Sequence, residues 1–524
     1  MAHGPQPVMS MSGRVVAAGA VALAVVLALT LGTIVAVFVR AEGVGGFDPA
    51  DWAALRFTVT QATLSAALSV ALAIPVARAI ARRRFVGRGA LVMLLGAPFI
   101  LPVIVAVFGL ISVFGRSGWV SQSLMAFGYE PISIYGFHGV IIAHVFFNLP
   151  LATRLVLQGW LAIPGERFRL AAALGFTSRD IARHLERPML REVLPGAFLV
   201  IFLLCLTSFA VALALGGGPR ATTIELAIYE AFRLDFDLGK AALLACVQFG
   251  LGAAVAIVAL RVALPSGFGG GLDRAVQRWD QRGPLRTALD ASWIALAALF
   301  LILPILAIAF DGIGALATLP SQVWTSAARS LGVAAVSVIV TLLLALPIAA
   351  WSVTSGSKLV EGLGTLTIVA SPLIIGMGLF IVINPFLDPF ALALPVTALV
   401  NAIMSLPFAL RALVPALSQI ETQYGRLADS LGMSGTARLR RLWLPRLARP
   451  LGFSAGLAGA LSLGDLGVIA LFASPDTPTL PLQIFRLLTS YRMDDAAGAA
   501  LVLLALSLAV FWLLDRGGRV NVDG

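Results

Sequence analysis

Asp465 is the charge that most needs an account. It lies in LSLGDLGVIAL, residues 461–471, where every neighbour is apolar, glycine or a lone serine. A carboxylate at the centre of a membrane span costs roughly 2.5–3.5 kcal/mol on insertion scales and usually faces a protein interior. Two roles are open to it: facing a pathway, where it would attract a cation, or capping and pairing within a helix bundle. A second acid, Glu225, begins a helix-like run in GGGPRATTIELAIYEAFRLDFDLGK, residues 216–240. A gate, a contact for a partner and a plain connecting helix are all open to that segment. Other chemistry is sparse. His3, His138, His144 and His184 are scattered without ligand spacing, so no metal site is expected. Cys205 and Cys246 fall inside apolar runs and suggest no disulfide framework. No Ser/His/Asp cluster or carboxylate pair occurs, so no catalytic residue is expected. G-x-x-x-x-G-K-[ST] is absent, so the chain carries no P-loop of its own.

The elements that must position these residues are membrane helices. The chain has 524 residues, of which 59% are hydrophobic and 12% charged; a soluble domain carries about 25% charged residues. Each span needs about 20 apolar residues, and in lipid each must satisfy its own backbone, which dictates helices. Twelve spans are expected near 14–39, 57–80, 90–114, 132–156, 193–215, 239–262, 288–310, 327–351, 360–383, 391–412, 450–473 and 495–515. The first is too long for a signal-peptide core and no small-x-small site follows it, so it reads as a retained span. Most of the 37 Lys and Arg fall in alternate connections, in clusters such as Arg78 to Arg88, Arg154 to Arg191 and Arg411 to Arg449. By the positive-inside rule those connections and both termini are cytoplasmic. The same bias explains the net charge of +11 without a nucleic-acid partner. Trp119, Trp160, Trp324 and Trp443 fall near expected interfaces and read as belt residues.

The chain repeats itself at an offset of 257 residues. Asn148-Leu149-Pro150 matches Ser405-Leu406-Pro407, and Arg154 matches Arg411. RLAAALGFTSRDIARHLERP, residues 169–188, matches RLADSLGMSGTARLRRLWLP, residues 426–445, in the same register. The offset also sets Ser208 opposite Asp465. Earlier in each half the register drifts, and Pro75 pairs best with Pro347. A Gly-rich, charged join at 265–284 separates the copies. The expected organisation is a first half over 1–262, a cytoplasmic linker over 263–287 and a second half over 288–524. Six spans per half return the chain to one side, so the repeat is parallel.

The two matched segments, within 166–191 and 423–449, read as helix, tight turn, short helix. Gly175 suits a left-handed helix end. Thr177 with Asp180 forms a capping box, and Pro188 is expected to stop the second helix. In the second copy Ser434 is the available cap, with Leu439, Leu442 and Trp443 as apolar points. One such loop is open to lying on lipid. Two in register favour docking into grooves of a two-fold symmetric partner.

These segments resemble the EAA loops of permease subunits of ABC importers. The family pattern is Glu-Ala-Ala, three residues, Gly, and a Pro thirteen residues after the Gly. Ala171, Gly175 and Pro188 match it, as do Ala428, Gly432 and Pro445. Arg169 and Arg426 stand where the family has Glu, so nothing that depends on that carboxylate carries over; Arg187 stands where the family has Leu before the Pro, while Leu444 conforms. AHVFFNLPLATRL at 143, ALGGGPRATTIELAIYEA at 214, LSLGDLGVIALF at 461 and TLPLQIFRLLTSYRMDDAAGAA at 479 further resemble the fused two-half thiamine and thiamine pyrophosphate importer permeases of Gram-negative bacteria. Fused iron(III) permeases look similar.

The resemblance implies an all-α polytopic fold of about 12 transmembrane helices in two homologous six-helix halves, in a bacterial inner membrane. It implies two copies of a separate ATPase, which hold ATP and Mg and dock under the two loops, and a periplasmic substrate-binding protein that delivers solute. Nothing in it calls for a cofactor in this chain, and membrane lipid is the remaining contact. ATP-driven closure would swing the loops and shift the bundle between inward-open and outward-open states. Asp465, Ser208 and Glu225 are the expected pathway residues. A gradient-driven transporter of twelve spans also has two parallel halves, but it gives no account of the paired loops.

Overall fold

The computed structural model describes residues 13–41, 46–96, 100–216, 218, 221–259, 283–472 and 476–520. The expected linker lies almost wholly outside them. Among the described residues there are helices and turns but no strand.

The first half contains α1 (Val15–Ala41), α2 (Pro49–Arg82), α3 (Arg88–Leu94), α4 (Val103–Phe114), α5 (Trp119–Ala126), α6 (Phe137–Ala162), α7 (Gly165–Ala173), α8 (Arg187–Leu206), α9 (Ala210–Leu215), α10 (Ile224–Arg233) and α11 (Leu238–Ala259). The second contains α12 (Pro284–Ala315), α13 (Ser321–Ser355), α14 (Lys358–Gly364), α15 (Pro372–Ile383), α16 (Ala393–Ser430), α17 (Leu444–Leu463), α18 (Gly467–Phe472), α19 (Leu480–Thr489) and α20 (Met493–Val520). Among the described residues, eleven helical stretches, one of them α4 together with α5, are long and apolar enough to cross a membrane.

The ninth expected span, 360–383, is in two pieces, α14 and α15. The first-half span expected at 90–114 is likewise divided into α3 and α4. Proline is the common cause. Pro102 sits at the N-cap of α4 and Pro372 in the first turn of α15, where a missing N–H costs nothing but a preceding helical residue is disfavoured. Ser371 then accepts from the Leu373 N–H at 3.1 Å and caps the restart.

Each half has a three-helix core, α2 with α6 and α8, and α13 with α16 and α17. The first helix of each half leaves that core. α1 packs on α13 and α15 of the second half as well as on α11 of its own, and α12 packs on α2 and α4 of the first as well as on α20 of its own. Glycine permits both crossings. A Cβ on Gly109 of α4 would lie 2.5 Å from the Pro304 carbonyl oxygen of α12. A Cβ on Gly378 of α15 would lie 2.5 Å from Thr33 of α1. Small residues let membrane helices approach where packing, not water, drives association. The last span departs from symmetry. α20 packs along α17 through Gly452, Gly456 and Gly518, which nearly touch its backbone or, for Gly518, that of α17.

The ends of the bundle are fixed by matched hydrogen bonds. The Ile224 N–H, at the start of α10, donates to Thr58 Oγ1 at 2.8 Å. Its counterpart is the Leu480 N–H, at the start of α19, donating to Ser330 Oγ at 2.8 Å. Thr58 and Ser330 lie near the starts of α2 and α13. The other end of α2 carries Arg78, 2.7 Å from Glu186 beside the first loop. So α10 and α19 lie on the face opposite the two loops.

Candidate functional site

A cavity of about 410 Å³ lies between the halves, within the usual range for a small-molecule site. Its walls come in pairs at the 257 offset: His144 with Asn401, Asn148 with Ser405, Ser208 with Asp465, and Phe147 with Met404. α6 and α16 supply the first, second and fourth pairs. The breaks after α8 and α17 supply the third. Pro102 and Pro372, at the divided third segments, close another pair of walls. The repeat thus generates the site, because equivalent residues from two related halves face each other across a pseudo-two-fold axis.

All three residues expected on a pathway line this cavity. Asp465 sits at the unwound step between α17 and α18, where the backbone N–H groups of Gly467, Val468 and Ile469 and the side chain of Asn401 surround its carboxylate. That is a helix N-terminus stabilising an anion. Among the described residues its Oδ2 has no protein hydrogen-bond donor. Asp465 thus stands at the N-terminus of α18 and also lines the cavity. Ser208 occupies the equivalent step between α8 and α9. Glu225 is fully buried in α10, a ten-residue helix that does not span. Ser371 Oγ donates to its Oε2 at 2.9 Å and Gln248 Nε2 to its Oε1 at 3.2 Å. Burial pushes its carboxyl up to about 8 against the pull of those two hydrogen bonds.

Sequence reasoning missed His144, Asn148, Asn401 and Ser405. Asn148 donates to the His144 carbonyl at 2.8 Å and to Cys205 Sγ at 3.3 Å. Asn401 donates to Ser462 Oγ at 3.1 Å. His144 Nδ1 is 3.4 Å from Ser65 Oγ, and its Nε2 has no partner among the described residues. The available signal was polar residues recurring at equal positions inside two apolar spans.

The two basic loops match in detail. Ala171 and Ala428 are buried, while Arg169 and Arg426 are exposed. Arg169 reaches Glu166 at 2.9 Å. Gly175 and Gly432 take φ of 68° and 63°. The following N–H groups, of Phe176 and Met433, donate back to the carbonyls of Ala171 and Ala428, both at 2.9 Å, which closes a Schellman motif. Leu170 and Leu174, with Leu427 and Leu431, stand exposed on this turn and form a matched apolar face.

Several expectations are corrected. Pro188 does not stop a helix, and neither does Pro445. Each lies in the first turn of a spanning helix, α8 or α17, entered through a π turn, Ala182–Glu186 or Leu439–Trp443. The Arg187 and Leu444 N–H groups donate five residues back, so the missing proline N–H is absorbed by the wider turn. The Thr177–Asp180 capping box is present. Ser434 occupies the equivalent N-cap but makes no side-chain cap hydrogen bond. Trp160 and Trp443 are buried beneath the loops, so they are not belt residues.

The loops are anchored differently. In the first, Ile181 is buried and Glu186 pairs with Arg78 and Arg82. In the second, Arg438 replaces Ile181 and pairs with Glu421 and, at 2.6 Å, with Asp429. Trp443 Nε1 also donates to Glu421.

No protein-family model matches the chain. It is similar along nearly its whole length to curated proteins. It is 40% identical over 516 residues to the thiamine transport system permease protein ThiP of Brucella abortus, covering 95% of this chain and 94% of that one. The protein of the same name from Escherichia coli K12 is 38% identical over 485 residues, 90% of each chain. That from Haemophilus influenzae is 33% identical over 472 residues, 87% of this chain and 86% of that one.

Proposed function

This chain belongs to the thiamine transport system permeases, and from that premise we propose that it is the membrane permease of an ABC importer that carries thiamine or its phosphates inward. The observation that carries the reading is similarity to such permeases over 95% of the chain. The geometry supports it with a cavity between two related halves and two matched, exposed loops on one face. The chain forms a route rather than catalysing a reaction. A separate ATPase, in two copies, binds ATP and Mg and docks on the loops through Arg169, Ala171, Gly175 and Pro188 and their counterparts Arg426, Ala428, Gly432 and Pro445. The loop face and both termini are cytoplasmic, and a solute-binding protein delivers from the opposite side.

Thiamine carries a fixed positive charge on its thiazolium ring. Asp465, with an oxygen that no described residue engages, would attract that charge, and Phe147, Phe209 and Phe408 in the cavity wall offer aromatic surface to a flat cation. Ser208 supplies the hydroxyl opposite. Glu225, largely protonated in its buried site, contributes a hydrogen bond rather than a second full charge.

The test uses proteoliposomes holding this chain and its ATPase. ATP hydrolysis is followed with the solute-binding protein loaded with thiamine, thiamine pyrophosphate or iron(III). Stimulation by the thiamine compounds alone supports the reading. Stimulation by iron alone keeps the permease and removes the vitamin. Solute accumulation without ATP or ATPase points to gradient-driven transport instead.

A further inference from the structure

Among the described residues, two that are not glycine have positive φ: Phe236 at 55° and Tyr491 at 59°. They are counterparts. Phe236 follows α10 and Tyr491 follows α19, each in the turn that leads into the last span of its half. The Arg492 N–H donates to the Leu487 carbonyl at 3.0 Å and the Asp237 N–H to the Ala231 carbonyl at 2.8 Å. These are helix-ending turns that ordinarily take glycine, because a Cβ clashes in the left-handed region. This chain uses glycine for the same purpose in both basic loops, at Gly175 and Gly432. Here it places an aromatic ring instead, twice, and the rings are 73% and 90% exposed. Packing within the fold does not account for them.

A second matched pair lies on the same face. Tyr129 and Phe386, separated by the 257 offset, sit in the connections before α6 and α16 and are 67% and 82% exposed. Strained backbone that presents a side chain outward is a mark of a recognition surface, and aromatic residues are the usual anchors of protein interfaces.

We propose that Phe236 and Tyr491 are paired knobs that seat the solute-delivering protein on the face opposite the loops, one knob in each of two lobes. This rests on the importer reading above. Two related knobs, one per half, call for a partner with two comparable pockets. The surroundings give each pocket a charge. Phe236 lies between exposed Asp235 and Asp237, so its lobe carries a basic rim. Tyr491 is followed by exposed Arg492, which is paired with Asp495 at 2.5 Å, and by exposed Asp494, so its balance is also acidic and its lobe carries a weaker basic rim. A lipid-belt role fits less well, because Asp235 and Asp237 would be drawn toward the acyl boundary with the ring, and a belt residue needs no left-handed backbone.

Glycine substitution separates the ring from the fold, since Phe236→Gly and Tyr491→Gly relieve the backbone while deleting the side chain. The complex with its ATPase is placed in nanodiscs and in detergent. Affinity is measured for the periplasmic thiamine-binding protein loaded with thiamine. The expected result is Kd raised at least tenfold in the double variant and partly in each single one, with melting temperature unchanged or higher. Wild-type affinity in the double variant overturns the proposal. So does an effect confined to stability in nanodiscs, which would mark the rings as lipid anchors. If the unaltered complex fails to bind the loaded protein, the importer reading itself falls and takes this surface with it.

Discussion

Among the described residues one carboxylate oxygen of Asp465 has no protein donor in the cavity wall, and this gives it a testable weight. Asp465→Asn keeps the shape and removes the charge. The thiazolium nitrogen has no N–H, so the contact is one of charge; close charge pairs couple by about 1.5 kcal/mol or more, so thiamine-stimulated transport should fall at least roughly tenfold. Assembly with the ATPase should be unchanged by co-purification. Equal transport in the variant would reduce Asp465 to a cap for α18. Glu225 makes a different prediction. Its buried carboxyl keeps its proton up to about 8, whereas the unfolded chain loses it near the ordinary value of 4.5. Between those values the folded state binds more protons, so this group's contribution to stability falls as pH rises. Melting temperatures across that window should decline less steeply in Glu225→Gln. Asp465 was legible in the sequence because a charge inside an apolar run is an outlier. His144 and Asn401 were not, because one polar residue on a helix gives no sign of whether it faces a neighbour or a cavity.

The two loops share a fold and differ in their anchors. Arg438 and Glu421 are each about one-tenth exposed, and removing one partner of a buried pair typically costs about 3–5 kcal/mol. Glu421→Gln should therefore lower the melting temperature by several degrees and weaken coupling between solute-stimulated ATP hydrolysis and transport. The exposed Arg169–Glu166 pair is the control, since such pairs contribute about 0–1 kcal/mol. Arg169→Ala should leave the melting temperature unchanged, and any loss of ATPase binding would then report docking directly. If Glu421→Gln leaves both quantities at their starting values, the second loop is held by Trp443 and its apolar contacts. Glycine, capping box and register made these loops visible in the sequence. Pro188 and Pro445 were misread because proline ends a helix only if the backbone cannot widen around it, and a π turn is not written in residue types. The divided third segments were hidden similarly, since Pro102 and Pro372 sit in runs apolar enough to read as continuous spans.

The exchange of first helices sets how the whole chain holds together. Each first helix rests partly on the other half, α1 on α13 and α15 and α12 on α2 and α4, beside the last span of its own half, so neither half is covered by its own helices alone. The fused chain makes that exchange intramolecular, at an effective concentration that the join expected over 263–287 would set. Cutting the chain within that join should therefore give two fragments that depend on each other. Expressed together, they should co-purify as one complex and retain transport. Expressed singly, the first fragment should aggregate, because the surfaces of α2 and α4 that meet α12 would be left uncovered. The crossing at Gly378 tests the same dependence within the intact chain. A leucine there must displace Thr33 of α1, and overpacking of this kind costs about 1–3 kcal/mol. Gly378→Leu should lower the melting temperature of the fused chain moderately and should prevent recovery of the split one, where no covalent link opposes separation. If the first fragment alone is monodisperse and stable, α1 must fold back on its own half in isolation. The exchange would then arise only on assembly, and the two halves would be independent bodies that the linker merely joins.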